Sequence, residues 1–304
     1  MPSYSVGMGH SYSLQTKSEI MGNQVKLLAA FISISSIAGA TLFAGQVGEA
    51  LRVSSESGRP LLVIASSDYC GPCRKLHRLI HSETMRPVRE RCNLLEIQAG
   101  SAELREMDAR FPGFRGMVPM VYIILPAGDA LYVKAGGLNA KQLSNLLAGA
   151  IRLAEISNGV AAGKIESTRK AAKLANTAGG EIAHKARELE QIGVSRLLHT
   201  LTRLERQVGT DDEICCTTVK IAKIFYQSKD IREVHLAAAR ILVRLQRQPA
   251  TSNVTKQAKL LVVANELAKK GNTAKAKKSY LRVVKVDESS KAGRYAQRQI
   301  DQLR

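Results

Sequence analysis

The sequence predicts an α/β domain, a mixed sheet flanked by helices, followed by an all-α helical region. Three observations carry this. Residues 46–156 alternate helical spacing with short apolar runs of β type. Beyond Ser157 the composition shifts to Ala, Lys, Arg and Leu with almost no strand signal. Between a strand-like run and a helix-like run sits Cys70-Gly71-Pro72-Cys73, a pair of thiols held in a turn.

Taken in order, Gln46 to Ser57 reads as a helix closed by Gly58 and stopped before Pro60. Residues 61–66 form an apolar run that predicts a buried strand. After the Cys70–Cys73 turn, Leu76, Leu79 and Ile80 keep helical spacing, and a helix is expected to about Arg91. Asn93 to Gln98 alternates as a strand, and Ser101 is placed to cap a helix ending at Arg110. Met120 to Leu125 is a third strand. Pro126-Ala127-Gly128-Asp129 then turns the chain into a fourth, Ala130 to Lys134, making a hairpin. Gly136-Gly137 precedes a helix expected from about Asn139 to Ile156.

The domain plan is therefore 1–45 as a leader, 46–156 as the α/β domain, 157–193 as a linker or short helices, and 194–304 as helices. Five glycines (159, 163, 179, 180 and 193) mark the linker. Helices are expected at about 194–207, 212–228, 230–247, 254–270, 273–285 and 289–303, with breaks at Pro249 and Gly271-Asn272. A chain of 304 residues is long enough for two domains.

Residues 1–20 are Ser-, Tyr- and Gly-rich without periodicity, so disorder is expected there. Leu27 to Gly45 carries no charge, follows Lys26 and contains Ala38-Gly39-Ala40. That pattern reads as a signal peptide or an uncleaved anchor, with Met21 as an alternative start. The remainder is then expected in the periplasm or on the outer face of the inner membrane, with membrane association through 27–45.

The cysteines point to chemistry. Backbone N–H groups and the helix dipole at a helix N-terminus favour a thiolate over a thiol. A thiolate attacks disulfides, and a second Cys three positions on can resolve the product. Five cysteines in all is an odd number, too few for a disulfide scaffold. Cys92 reads as a small buried apolar residue, and Cys215 and Cys216 as free thiols on a helix. No second CxxC exists to complete a zinc site. Cys73, His77 and His81 do share one helix face, but such histidines are expected as solvated surface. No metal and no cofactor is predicted.

Several further segments make the α/β region resemble a thioredoxin-fold domain. Arg115-Gly116-Met117-Val118-Pro119 resembles that family's loop, in which a cis Pro faces the dithiol. Leu131 to Leu147, with Gly136-Gly137, resembles its terminal hairpin and helix. The resemblance implies that Cys70 attacks and the more buried Cys73 resolves, forming a Cys70–Cys73 redox disulfide. It implies that Tyr69, Val118 and Pro119 contact substrate. Gly71 and Pro72 are those of reducing members, and Arg74 takes the place of a basic residue that favours the thiolate.

The sequence departs from that pattern in three places. Tyr69 stands where thioredoxin has Trp. Ile64 replaces a buried Asp that assists proton removal from the resolving thiol. Phe111-Pro112-Gly113-Phe114 adds a bulge before the cis-Pro loop. Farther on, Gly271, Ala276 and Tyr280 make 257–290 resemble a tetratricopeptide repeat, with a weaker second unit at 216–249, so the helical region is expected to be of repeat type.

Of a net charge of +19, +15 falls after residue 155. Few aromatics and no recognition motif accompany it, so nucleic acid is not an expected partner. A solvated basic face, or contact with anionic lipid, acidic polymer or an acidic protein, is. The expected function is an extracytoplasmic thiol–disulfide oxidoreductase of reductase or isomerase type. Its expected partners are protein thiols and disulfides, an external electron donor, and a protein bound by the helical region. The alternative is a non-catalytic scaffold or assembly factor whose α/β domain mainly binds.

Overall fold

The computed structural model describes residues 45–208 and 214–303. The expected leader, 1–45, lies outside them except for Gly45. Among the described residues, no helix is long and apolar enough to cross a membrane. The elements, in chain order, are α1 (Gln46–Ser57), β1 (Leu61–Ser66), α2 (Gly71–Ile80), α3 (Arg86–Arg89), β2 (Asn93–Gln98), α4 (Ala102–Arg110), β3 (Met120–Ile124) and β4 (Ala130–Ala135). Helices follow: α5 (Ala140–Ala161), α6 (Ile165–Thr177), α7 (Gly180–Gln207), α8 (Ile214–Gln227), α9 (Arg232–Arg247), α10 (Pro249–Lys269), α11 (Thr273–Val286) and α12 (Lys291–Gln302).

The four strands form one mixed sheet in the order β2-β1-β3-β4. β1 runs parallel to β2 and antiparallel to β3, and β3 runs antiparallel to β4. The two central strands are buried along nearly their whole length. This explains why their sequences, Leu-Leu-Val-Ile-Ala-Ser and Met-Val-Tyr-Ile-Ile, are continuous apolar runs and do not alternate. The edge strand β2 alternates instead, with Leu95 and Ile97 buried and Glu96 and Gln98 exposed. The fold is thioredoxin-like, a mixed sheet flanked by helices, and the remainder of the described chain is helical.

Local chemistry sets the helix ends. Ser101 accepts from the Leu104 N–H at 3.2 Å, capping α4. Asn139 and Gln142 exchange backbone and side-chain hydrogen bonds, a capping box that starts α5. The helix expected from the cysteine turn to Arg91 is interrupted. α2 ends at Ile80, and the short α3 resumes with Pro87 in its first turn. Proline has no N–H to give to a preceding turn, so a continuous helix is broken there.

Two other boundaries differ from expectation for one reason each. The break expected at Pro249 is present, with α9 ending at Arg247, but α10 starts on Pro249 itself and not at about 254, because a missing N–H costs nothing in a first turn. The 157–193 segment is helical nearly throughout: α5 runs on to Ala161, and α7 continues through Gly193. Its glycines include close-approach sites. A side chain at Gly193 would run into Thr168 of α6, and one at Gly159 of α5 would run into Ser167 of α6.

One apolar cluster joins the sheet to the first helices beyond it. It includes Leu62, Ile64, Leu76, Ile80, Val121 and Ile123, passes through Leu143, Leu147 and Leu153 of α5, and reaches Ala171 and Ala186. Each large side chain so buried contributes about 1.5–3 kcal/mol. A second cluster spans Leu197 to Val262, and a third spans Leu261 to Ile300. In the third, Ala276 and Tyr280 are fully buried, and the Tyr280 hydroxyl donates to Asn265 Oδ1 at 2.5 Å. Gly271, at φ 73°, makes the tight turn between α10 and α11.

A candidate dithiol site at the N-terminus of α2

Cys70 is the N-cap of α2 and Cys73 lies in its first turn. The two are joined by a disulfide, with Cα atoms 5.2 Å apart. The Cys73 backbone N–H donates to Cys70 Sγ at 3.2 Å, using a group that the helix start leaves unpaired. When the bond is reduced, that N–H and the helix dipole face the Cys70 sulfur and favour its ionised form. No acidic residue occupies the first turn. Cys70 is half-buried at the surface, whereas Cys73 is only 3% exposed.

Pro72 occupies the first turn, where proline is tolerated. Gly71 has an ordinary backbone conformation, and nothing lies within 4 Å of the position a Cβ would take. Its lack of a side chain therefore leaves the face beside Cys70 open without relieving any crowding. Arg74 donates to the Asp68 carbonyl at 3.1 Å, and Gln98 Nε2 reaches Asp68 Oδ1 at 3.4 Å. The guanidinium thus braces the loop ahead of Cys70.

The loop before β3 completes the site. The Val118–Pro119 peptide bond is cis. The Val118 carbonyl oxygen lies 3.6 Å from Cys70 Sγ. The Pro119 carbonyl is already taken, accepting from the Gly136 N–H at 2.7 Å. Upstream, Asp108 Oδ1 accepts from the N–H groups of Gly113 and Phe114 at 3.0 and 2.8 Å. One carboxylate at the end of α4 thereby holds the Phe111–Phe114 bulge in place.

Tyr69 is 97% exposed, and Met117, preceding Val118, is 58% exposed. Both are large side chains flanking the disulfide with nothing covering them. Met117 was not among the residues singled out by sequence. Its position between Gly116, at φ 74°, and the cis bond is the signal that marks it. Ile64 of β1 is buried in the main core, with Glu96 and Val121 as its strand neighbours. Of the other cysteines, Cys216 is exposed and free, and Cys215 lies on the same helix. Cys92 packs against the main core, and burial pushes its thiol up to about 12.

Residues 43–126 match the family described as Thioredoxin-like. They form a thioredoxin-like domain. The match spans α1 through β3 and includes both cysteines and the cis proline. No curated protein matches the chain. A thioredoxin-like domain with a Cys70–Cys73 pair supports a function of the thiol–disulfide oxidoreductase kind, and protein thiols are in general the substrates of such a domain.

Proposed function

We propose that this chain is an extracytoplasmic thiol–disulfide oxidoreductase of reductase or isomerase type. The disulfide at the start of α2, facing the Val118 carbonyl, carries the reading. In the reduced enzyme the Cys70 thiolate attacks one sulfur of a client disulfide. A Cys70–client bond forms, and the other client sulfur leaves as a thiolate. Cys73 then loses its proton and attacks Cys70 Sγ. The first client sulfur leaves, and the Cys70–Cys73 disulfide remains. Two electrons have passed to the client, and an external dithiol donor returns the pair to its reduced form.

In this reading Tyr69, Met117 and the Val118–Pro119 edge contact the client, and Gly71, Pro72 and Arg74 shape the turn that activates Cys70. The uncharged Leu27–Gly45 segment supports export, and the basic helices from α7 onward act as the surface that binds a protein partner. Gly271 in the turn between α10 and α11, with Ala276 and Tyr280 buried in α11, supports a repeat-type arrangement. Reduction of insulin disulfides by the purified chain with dithiothreitol tests the activity. Catalysis abolished in Cys70→Ser is expected; no catalysis by the unmodified chain overturns the reading. An alkaline-phosphatase fusion at residue 58 tests export, activity of the fusion being the expected result.

One observation favours the second reading, a scaffold whose thioredoxin-like domain mainly binds. Ile64 leaves the resolving thiol without the buried acid of the family, which slows turnover without preventing contact. The insulin assay separates the two readings, because a scaffold gives no catalysis above dithiothreitol alone.

A further inference from the structure

His77 and His81 lie one turn apart on α2, with ring centroids 4.4 Å apart and ring planes at 39°. Glu96 approaches both from the edge strand β2. Its Oε1 lies 3.1 Å from His81 Nε2, and its Oε2 lies 3.5 Å from His77 Nε2. One ligand atom from each residue lies within 4.8 Å of the others. Strand alternation puts the carboxylate there: Leu95 and Ile97 turn into the core, so Glu96 between them must face the opposite side, beside α2.

The spacing matches a coordination sphere. Zinc bonds to His nitrogen and carboxylate oxygen of about 2.0–2.2 Å, at tetrahedral angles, put neighbouring ligand atoms about 3.3–3.6 Å apart. The two imidazole nitrogens stand 3.1 and 3.5 Å from the carboxylate, each from a different oxygen, and one ligand atom from each residue lies within 4.8 Å of the others. Rotation of the exposed imidazole rings and of the carboxylate brings one oxygen to both nitrogens, since the two His side chains are 59% and 42% exposed. Each imidazole points at a different oxygen of one carboxylate, so an ion can take the place of the hydrogen bonds without moving the backbone. Two imidazoles and a carboxylate suit borderline divalent ions, whereas magnesium and calcium demand oxygen ligands.

We propose that His77, His81 and Glu96 form a site for a borderline divalent cation of the zinc class. Three protein ligands leave a fourth position open to water or to a donor atom of a bound molecule, the pattern of an exchangeable site and not of a closed structural one. The ion would clip α2, the helix that carries Cys70 and Cys73, to the edge of the sheet. Helical spacing in the sequence grouped Cys73 with the two histidines. Cys73 is held in the disulfide, and Glu96, distant in sequence, takes the third position.

The test is calorimetric titration of the untagged full chain with zinc chloride, with the disulfide oxidised and the exposed thiols alkylated. One saturable site per chain is expected, with no response to magnesium chloride. Even outer-shell partners are worth about 10–100-fold in metal affinity, so loss of a ligand in His77→Ala, His81→Ala or Glu96→Gln should weaken binding by more than about tenfold. All three residues are exposed, so circular dichroism should be unchanged in each variant. A second readout is a zinc-dependent rise in melting temperature in the unmodified chain that Glu96→Gln loses. No saturable zinc binding, or binding that survives both Glu96→Gln and the double histidine substitution, overturns the proposal.

Discussion

Cys70 Sγ lies 3.6 Å from the carbonyl oxygen of Val118, a contact between residues 48 positions apart in the chain. A disulfide sulfur carries no proton, so in the oxidised form this is only an approach. A reduced Cys70 thiol can donate to that oxygen, and a Cys70 thiolate cannot. The thiolate keeps the Cys73 N–H as its partner. The two contacts therefore serve different protonation states of one sulfur.

Removal of the resolving thiol should separate the two steps. Cys73→Ala is expected to accumulate mixed disulfides with client proteins, seen as reductant-sensitive bands on non-reducing gels. Cys70→Ala should give none. Equal trapping by both variants would show that the attacking sulfur is not Cys70.

Ile64→Asp introduces a carboxyl group at the position where the resembled thioredoxin pattern carries its buried acid. Ile64 is 4% exposed and sits in the main core, so a buried charge without a partner should cost about 3 kcal/mol or more of stability. In return, resolution of the mixed disulfide should speed up. Urea denaturation reads the first effect and single-turnover kinetics the second. An unchanged resolution rate in a folded variant would mean that proton removal from Cys73 is not limiting.

Alkaline stability should carry the signature of Cys92. Burial raises its thiol from the ordinary 9.0 to about 12 in the folded protein. Its stabilising contribution is therefore complete below the unfolded value near 9 and is lost as pH rises toward 12. Cys92→Ala should flatten the fall in urea midpoint between about pH 9 and 11. In the unmodified chain at pH 8, iodoacetamide should label Cys216 and spare Cys92 until denaturant is added, as peptide mass mapping would reveal.

Tyr122 is fully buried, yet its hydroxyl has no hydrogen-bond partner among the described residues. An unpaired buried hydroxyl costs about 1–3 kcal/mol. Tyr122→Phe keeps the ring and removes that cost, so it should stabilise the protein by about 1 kcal/mol in urea denaturation. A loss of stability would reveal a partner for the hydroxyl.

Gly193→Ala should destabilise by about 1–3 kcal/mol, the usual range for overpacking. A methyl group there meets Thr168, including the Cβ and Oγ1 of a β-branched side chain with little freedom to turn away. The paired substitution Gly193→Ala with Thr168→Ser should recover part of the loss. Thermal denaturation of both variants is the check.

This glycine also shows where sequence reading stops. The strands were legible because each is a short apolar run bounded by turn residues, and β1, β2 and β3 fall where those runs lie. The cysteine turn was legible because strand, CxxC and helix follow one another without a gap. Gly193 was read as a break because glycine is a poor helix former, and only the neighbouring helix reveals that small size was the requirement. Pro249 marked the break between α9 and α10, but its letter did not say that the second helix starts on the proline itself. Glu96 gave no signal, because its partners His77 and His81 come from another element. Strand pairing, which no local pattern encodes, brings them together.

The apolar cluster that starts at Leu62 is not closed until Ala186 is in place. During synthesis the chain leaves the ribosome N-terminus first, so the sheet and α5 are made well before α7 can pack on them. Until then the face of α5 that α7 covers is bare. The dithiol turn is local to the start of α2, so what the late arrival of α7 leaves open in the nascent chain is the apolar face of α5 and not the pairing of the two thiols.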